Sequence, residues 1–171
     1  VSAGFVIAQL TAAHDRQTFS CGAEALDRYL RTQATQDVRR HIANCFVASP
    51  LQSSAVAGYY TLSAASIPMT GLPAEQARKL PRYPVLPAAL IGRLAVDRSF
   101  QGRQLGAALL FDAIARAIRA DAAVFALVVD AKDEAAARFY RHHGFEAFSG
   151  KAARMFLPVA TAARVVQGSH P

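Results

Sequence analysis

At 171 residues, with 53% hydrophobic and 18% charged side chains, the chain has the length of a single domain and ample apolar material for its core. No apolar run reaches the roughly 18 residues of a membrane span, Val1 to Leu10 lacks the regions of a signal peptide, and Cys21 and Cys45 have neither zinc nor redox spacing; these exclusions imply a cytoplasmic protein with free thiols and no membrane partner. The net charge of +7, carried mostly by arginine, favours a polyanionic partner such as nucleic acid, although an ordinary arginine-rich solvated surface explains the charge equally well.

The first apolar segment, Phe5 to Leu10, reads as a first or edge strand, and Phe19 to Gly22 (FSCG) as the turn before a helix. That helix starts near Ala23 and ends in Arg39, Arg40 and His41. Ala23, Leu26, Leu30, Ala34 and Val38 share one face, with Asp27, Arg28, Arg31 and Arg39 elsewhere. Ile42 to Ala48 and Ala55 to Ile67 carry strand patterns around the turn residues Ser49 to Ser54, which predicts an antiparallel hairpin. Five prolines between Pro68 and Pro87 leave room only for a short helix around Ala74 to Leu80. This segment holds Arg78, Lys79, Arg82 and Tyr83, a group suited to gripping a phosphate backbone or to solvating an exposed loop.

Ala89 to Val96, interrupted by Gly92 and Arg93, has the apolar run of a strand covered on both faces. A polar, glycine-containing turn follows. From Gly106 to Ala120, Leu109, Leu110, Ala113, Ile114, Ala117 and Ile118 recur at helical steps, with Asp112, Arg116 and Arg119 opposite. Val124 to Val129 is the next strand, and the helical crossover predicts that it lies parallel to Ala89 to Val96. A helix begins near Asp133 and ends at Gly144, Phe145 to Phe148 and Met155 to Val159 form a closing hairpin, and the tail from Thr161 is expected to fray. The histidines at 14, 41, 142, 143 and 170 have no metal-ligand spacing, so no metal is expected.

The strand-to-helix junction around Gln101 to Ala107 (QGRQLGA) has the clearest chemical meaning. The first amides of a helix lack intrahelical partners and lie at its positive end, where they suit an anion such as pyrophosphate. The junction lacks the glycine-lysine-hydroxyl ending of a nucleotide-triphosphate loop and the glycine spacing of a dinucleotide fingerprint. Taken alone, it reads as well as an ordinary connection that binds nothing.

Together with the strand ending in Val128 to Ala131 and the sequence FYRHHGF from Phe139 to Phe145, the junction resembles the GNAT superfamily of acetyl-coenzyme A-dependent N-acetyltransferases. FSCGAEALDRYL, GYYTLS, LPRYPVLPAALIGRLAVD, VVDAKDEAAARFY and MFLP, spread over Phe19 to Pro158, resemble its branch of bacterial toxin–antitoxin toxins. The resemblance implies a single domain with a mixed α/β fold, in which a mostly antiparallel sheet splays between two parallel strands and is flanked by helices. It implies acetyl-CoA held by the amides of Leu94, Ala95 and Val96 and by the turn of Gln101, Gly102, Arg103, Gln104, Leu105, Gly106 and Ala107. Gln104 departs from the pattern, standing where the family has its first glycine, which predicts either crowding at the pyrophosphate or a changed local backbone. Tyr140 falls where the family's tyrosine protonates the departing thiolate. The branch further implies an aminoacyl-tRNA substrate, a ribbon-helix-helix antitoxin and a homodimer. Arg78, Lys79, Arg82, Arg93 and Lys151 are the candidate phosphate contacts, and an α-amine of pKa about 7.7 to 8.0 needs no dedicated base. The alternatives are a GNAT enzyme acting on a small amine or protein N-terminus, and a non-catalytic RNA- or antitoxin-binding module.

Overall fold

The computed structural model describes residues 4–149 and 151–168. One mixed sheet of seven strands runs in the order β1 (Phe5–Gln9), β2 (Asn44–Pro50), β3 (Gly58–Pro68), β4 (Val85–Val96), β5 (Ala126–Asp130), β7 (Lys151–Pro158) and β6 (Glu146–Phe148), with β4 and β5 as its parallel pair. Strand β1 pairs antiparallel with β2, β2 with β3, β5 with β7 and β6 with β7. The chain packs as two compact units, one comprising the residues up to Ser63 together with Ile91–Ala115, the other Ala64–Leu90 together with the residues from Arg116 onward.

The first unit contains β1 (Phe5–Gln9), α1 (Glu24–Thr32), α2 (Ala34–Arg39), β2 (Asn44–Pro50) and the opening of β3 (Gly58–Pro68). It also takes the second half of β4 (Val85–Val96) and most of α4 (Leu105–Arg119). Its core gathers Phe19, Tyr29, Leu30, Cys45, Val47, Tyr59 and Ala95. The five central residues of β2 are all buried. Gly58 is required by close packing: a Cβ there would lie 2.9 Å from Leu109 Cδ1 and 3.0 Å from the Ala95 carbonyl.

The predicted helix from Ala23 to Arg39 is broken at Gln33. The cause is tertiary. The Arg16 guanidinium donates to the Leu30 carbonyl at 3.1 Å and to Thr35 Oγ1 at 2.8 Å, drawing on the acceptor that a continuous helix would offer to Ala34. Asp27, expected away from the core, is buried and accepts the Cys21 amide at 2.9 Å. Asp112, expected on the solvated face of α4, accepts the Tyr60 hydroxyl at 2.6 Å.

The second unit contains the first half of β4, α3 (Ala74–Ala77), β5 (Ala126–Asp130), α5 (Glu134–His142), β6 (Glu146–Phe148), β7 (Lys151–Pro158) and α6 (Val159–Gly168). Ile67, Leu72, Leu86, Val128, Phe148 and Phe156 form its core. Strand β4 begins at Val85, earlier than the expected Ala89, because exposed Val85 and Pro87 alternate with buried Leu86 and Ala88. The Pro87 carbonyl still accepts the Phe125 amide at 2.9 Å. The tail expected to fray from Thr161 is instead helix α6. Ala162 is buried, and the Val159 amide donates to the Phe125 carbonyl at 2.9 Å. Among the described residues, no helix is long and apolar enough to cross a membrane. His170 lies outside the described residues.

Candidate functional site

In the first unit the turn between β4 and α4 is fastened at its base. Asp97 Oδ2 accepts the Ser20 amide at 2.9 Å and its Oδ1 accepts the Ser99 amide at 2.8 Å. The Arg98 amide returns to the Ser20 carbonyl at 2.9 Å. Gln101 Nε2 donates to the Val96 carbonyl at 3.0 Å and to the Cys21 carbonyl at 3.2 Å. The Gln101 side-chain amide is therefore a clamp, and its backbone is what remains for a ligand. The sequence motif marked Gln101 and missed Asp97, whose signal was its position directly after the strand.

Beyond this clamp the backbone turns left-handed twice, at Gly102 with φ +79° and at Gln104 with φ +60°. Glycine enters this region freely, whereas an L side chain does so at a cost. The turn thus keeps a left-handed backbone at the position where glutamine replaces glycine. Leu105 drives its side chain into the core at 1% exposure, anchoring the helix start. The Gln104 carbonyl accepts the Ala108 amide at 3.1 Å, which leaves the amides of Leu105, Gly106 and Ala107 ahead of the helical ladder. Arg103 is exposed beside them, its guanidinium 5.5 Å from the Phe100 ring centroid. A Cβ on Gly102 would meet nothing within 4 Å, so the turn is open on that side. Unpaired amides, a helix dipole and one arginine form a donor set that fits a pyrophosphate.

Of the β4 residues leading into this turn, Ala95 is buried, while Leu94 and Val96 are half-buried. Arg93 is half-buried and lays its guanidinium carbon 3.5 Å from the centroid of the Tyr29 ring. Tyr29 in turn donates to Asp37 Oδ2 at 2.8 Å, and Gln33 Nε2 donates to Asp37 Oδ1 at 3.0 Å. Hydrogen bonds from Gln33 and Tyr29 hold the Asp37 carboxyl below its usual range. Burial raises the Tyr29 phenol. Sequence reasoning missed this network because Asp37 gave no signal of burial. The Gln33/Asp37 spacing of one helical turn was the available signal.

In the second unit, Asp133 caps α5 by accepting the Ala136 amide at 2.8 Å. Tyr140, on that helix, is 8% exposed and packs against Phe139 and Phe145 at centroid distances of 5.3 and 5.4 Å. Among the described residues its hydroxyl has no hydrogen-bond partner, and burial pushes its pKa up to about 12. A phenol in this state holds its proton at neutral pH and donates it only to a group that becomes strongly basic. Nearby bases are engaged: Glu134 pairs with Arg141, and His143 Nδ1 donates to the Phe139 carbonyl at 2.8 Å. Gly144, at φ +94°, ends the helix as its sequence position predicts.

Arg78, Lys79 and Arg82 stand exposed just after α3, with Tyr83 beside them. Lys151 opens β7 opposite Phe148, and its side chain lies outside the described residues. Cys45 is fully buried, its thiol pushed up to about 12 by that burial, and Cys21 is half-buried; neither is in a disulfide.

The family model for the acetyltransferase (GNAT) domain matches residues 42–147. A tRNA-acetylating toxin of Mycobacterium tuberculosis is 38% identical over 140 residues, covering 81% of this chain and 82% of its own. Among solved structures, AtaT complexed with acetyl-methionyl-tRNAfMet matches with a TM-score of 0.89 at 31% identity, over 95% of this chain and 99% of its own. A Tyr-to-Phe mutant of AtaT, bound to the C-terminus of the antitoxin AtaR and acetyl-CoA, matches with a TM-score of 0.79 at 29% identity, over 95% and 98% of the two chains.

Proposed function

The chain belongs to the GNAT acetyltransferases, in the branch of tRNA-acetylating toxins, and we propose that it moves acetyl from acetyl-CoA to the α-amino group of aminoacyl-tRNA, arresting translation. The observation that carries this reading is the left-handed turn at Gly102 and Gln104.

In this reading the amides of Leu105, Gly106 and Ala107, with Arg103, hold the pyrophosphate, and the β4 amides at Leu94 to Val96 orient the pantetheine arm. When bound, acetyl-CoA supplies a thioester carbonyl open to attack by an amine. Tyr140 keeps its proton until the C–S bond breaks and then delivers it to the departing sulfur. The incoming α-amine, with an ordinary pKa of about 7.7 to 8.0, reaches its neutral form near physiological pH, so the engaged states of Glu134 and His143 are no obstacle. Arg78, Lys79, Arg82, Arg93 and Lys151 meet the RNA phosphates. The protein works as a homodimer in the cytoplasm, where charged tRNA resides, and is neutralised by a ribbon-helix-helix antitoxin.

The test is incubation with labelled acetyl-CoA and charged tRNA, followed by alkaline release of the amino acid. N-acetylated amino acid is expected; label appearing only on small amines or peptides would overturn the substrate assignment. Tyr140→Phe should lower kcat by roughly 100-fold or more while leaving carrier affinity unchanged, and full activity in that variant would remove Tyr140 from its role.

A further inference from the structure

Arg93 is a half-buried cation that makes no ion pair among the described residues, the Asp37 charge acting on it only from a distance. Alternation along β4 puts it on the same face as Ala95, which packs into the first unit's core with Tyr29 and Tyr59. Its guanidinium carbon lies over the Tyr29 ring, 3.5 Å from the centroid, and among the described residues no carboxylate stands within ion-pair distance of it. The nearest acidic group in this network, Asp37, already receives the Tyr29 hydroxyl on one oxygen and the Gln33 amide on the other. A partly desolvated charge with its planar fork unclaimed is unfavourable unless an anion completes it. Arginine stacked on an aromatic ring is held in a fixed plane, the arrangement that favours paired hydrogen bonds to phosphate oxygens.

We propose that Arg93, braced by Tyr29, which Asp37 and Gln33 lock in place, binds a phosphodiester of the acceptor strand beside the aminoacyl ester. The inference rests on the aminoacyl-tRNA reading and deepens it: it separates Arg93 from the exposed basic residues Arg78, Lys79 and Arg82, which contact RNA without a fixed plane. Arg93 touches substrate; Tyr29 is its positioning residue. A phosphate of the acetyl carrier offers the same chemistry, so the experiment must tell the two sources apart.

The experiment compares wild type, Arg93→Gln, Arg93→Lys and Tyr29→Phe on three readouts. The first two are steady-state kinetics with aminoacyl-tRNA and with a phosphate-free acceptor, an amino acid esterified to adenosine. The third is equilibrium binding of uncharged tRNA across a salt series. Arg93→Gln should raise KM for aminoacyl-tRNA by roughly tenfold or more, leave KM for acetyl-CoA and for the adenosine ester unchanged, and reduce the salt slope of tRNA binding by about 0.7. Arg93→Lys keeps the charge and the salt slope but loses the fork, giving an intermediate KM. Tyr29→Phe keeps the ring, frees it from Asp37, and should raise KM for aminoacyl-tRNA with the slope retained. Equal loss on both acceptors, a KM change confined to acetyl-CoA, or an unaltered salt slope in Arg93→Gln would overturn the proposal. The binding arm needs no catalysis, so it decides the role of Arg93 even if acetyl transfer to charged tRNA fails and the functional reading falls with it. Thermal melting of each variant separates loss of fold from loss of contact.

Discussion

Replacing Gln104 tests whether the turn before α4 carries stored strain. The residue holds φ +60° with an exposed side chain. A left-handed backbone costs a non-glycine residue about 1–2 kcal/mol, which Gln104→Gly removes. Glycine returns part of that gain through a freer unfolded chain, about 0.4–1 kcal/mol. The net is a stabilisation of about 0.8 kcal/mol, a rise of roughly 2–3 °C in Tm for a chain of this size. Gln104→Val moves the other way. A β-branched residue fits this region worst and should cost about 1–2 kcal/mol beyond glutamine, lowering Tm by roughly 2–8 °C. Calorimetry of the three proteins measures both shifts, and acetyl-CoA kinetics supply the functional half. The glycine variant should match or improve the wild-type KM, while the valine variant should raise it severalfold as the turn leaves its anion-binding form. If valine melts with wild type and keeps its KM, the cradle does not depend on a left-handed residue 104, and the reasoning from strain is refuted.

Gly58→Ala would force a methyl to within 2.9 Å of Leu109 Cδ1 and 3.0 Å of the Ala95 carbonyl, so urea unfolding should show a loss of about 1–3 kcal/mol; an unchanged midpoint would contradict that contact. Cys45, fully buried with its thiol raised to about 12, should resist alkylation at pH 8 in the native protein and react after denaturation, as counted by mass spectrometry. Tyr140 contributes stability that is fully present below its unfolded pKa of about 10 and is lost as pH rises through about 12, because burial favours the neutral phenol. Denaturation midpoints across that window should therefore fall less steeply in Tyr140→Phe than in wild type, and parallel curves would argue against a buried phenol.

The elements that sequence reasoning found were those whose signal is local. The amphipathic steps of α4, the strand patterns either side of the Ser49 to Ser54 turn, and Gly144 ending α5 each follow from a few neighbouring residues. The misses have a different origin. The break at Gln33 depends on Arg16, a residue well before the helix, taking the Leu30 carbonyl. Asp27 was placed away from the core and Asp37 was passed over, yet each is buried with its oxygens engaged by an amide, a hydroxyl or a side-chain donor. At the candidate site the motif drew attention to the turn and to Tyr140. It left open which Gln101 groups meet a ligand, because a side chain that clamps and one that binds leave the same letter in the sequence.

Gln104 can hold a left-handed backbone because both ends of its turn are fixed independently of it. Upstream, Asp97 fastens two amides and Gln101 two carbonyls; downstream, the Leu105 side chain is sunk in the core. With the ends held, a right-handed residue 104 would break several contacts at once, so the strain persists. The same clamp reaches further. Its partners Ser20 and Cys21 lead directly into α1, where Asp27 accepts the Cys21 amide and Tyr29 supports Arg93. The turn at the start of α4, proposed as an anion cradle, and the platform under Arg93 are therefore built on one hydrogen-bonded frame within the first unit. A substitution in the Phe19 to Gly22 segment, remote from both in sequence, should disturb carrier binding and acceptor binding together.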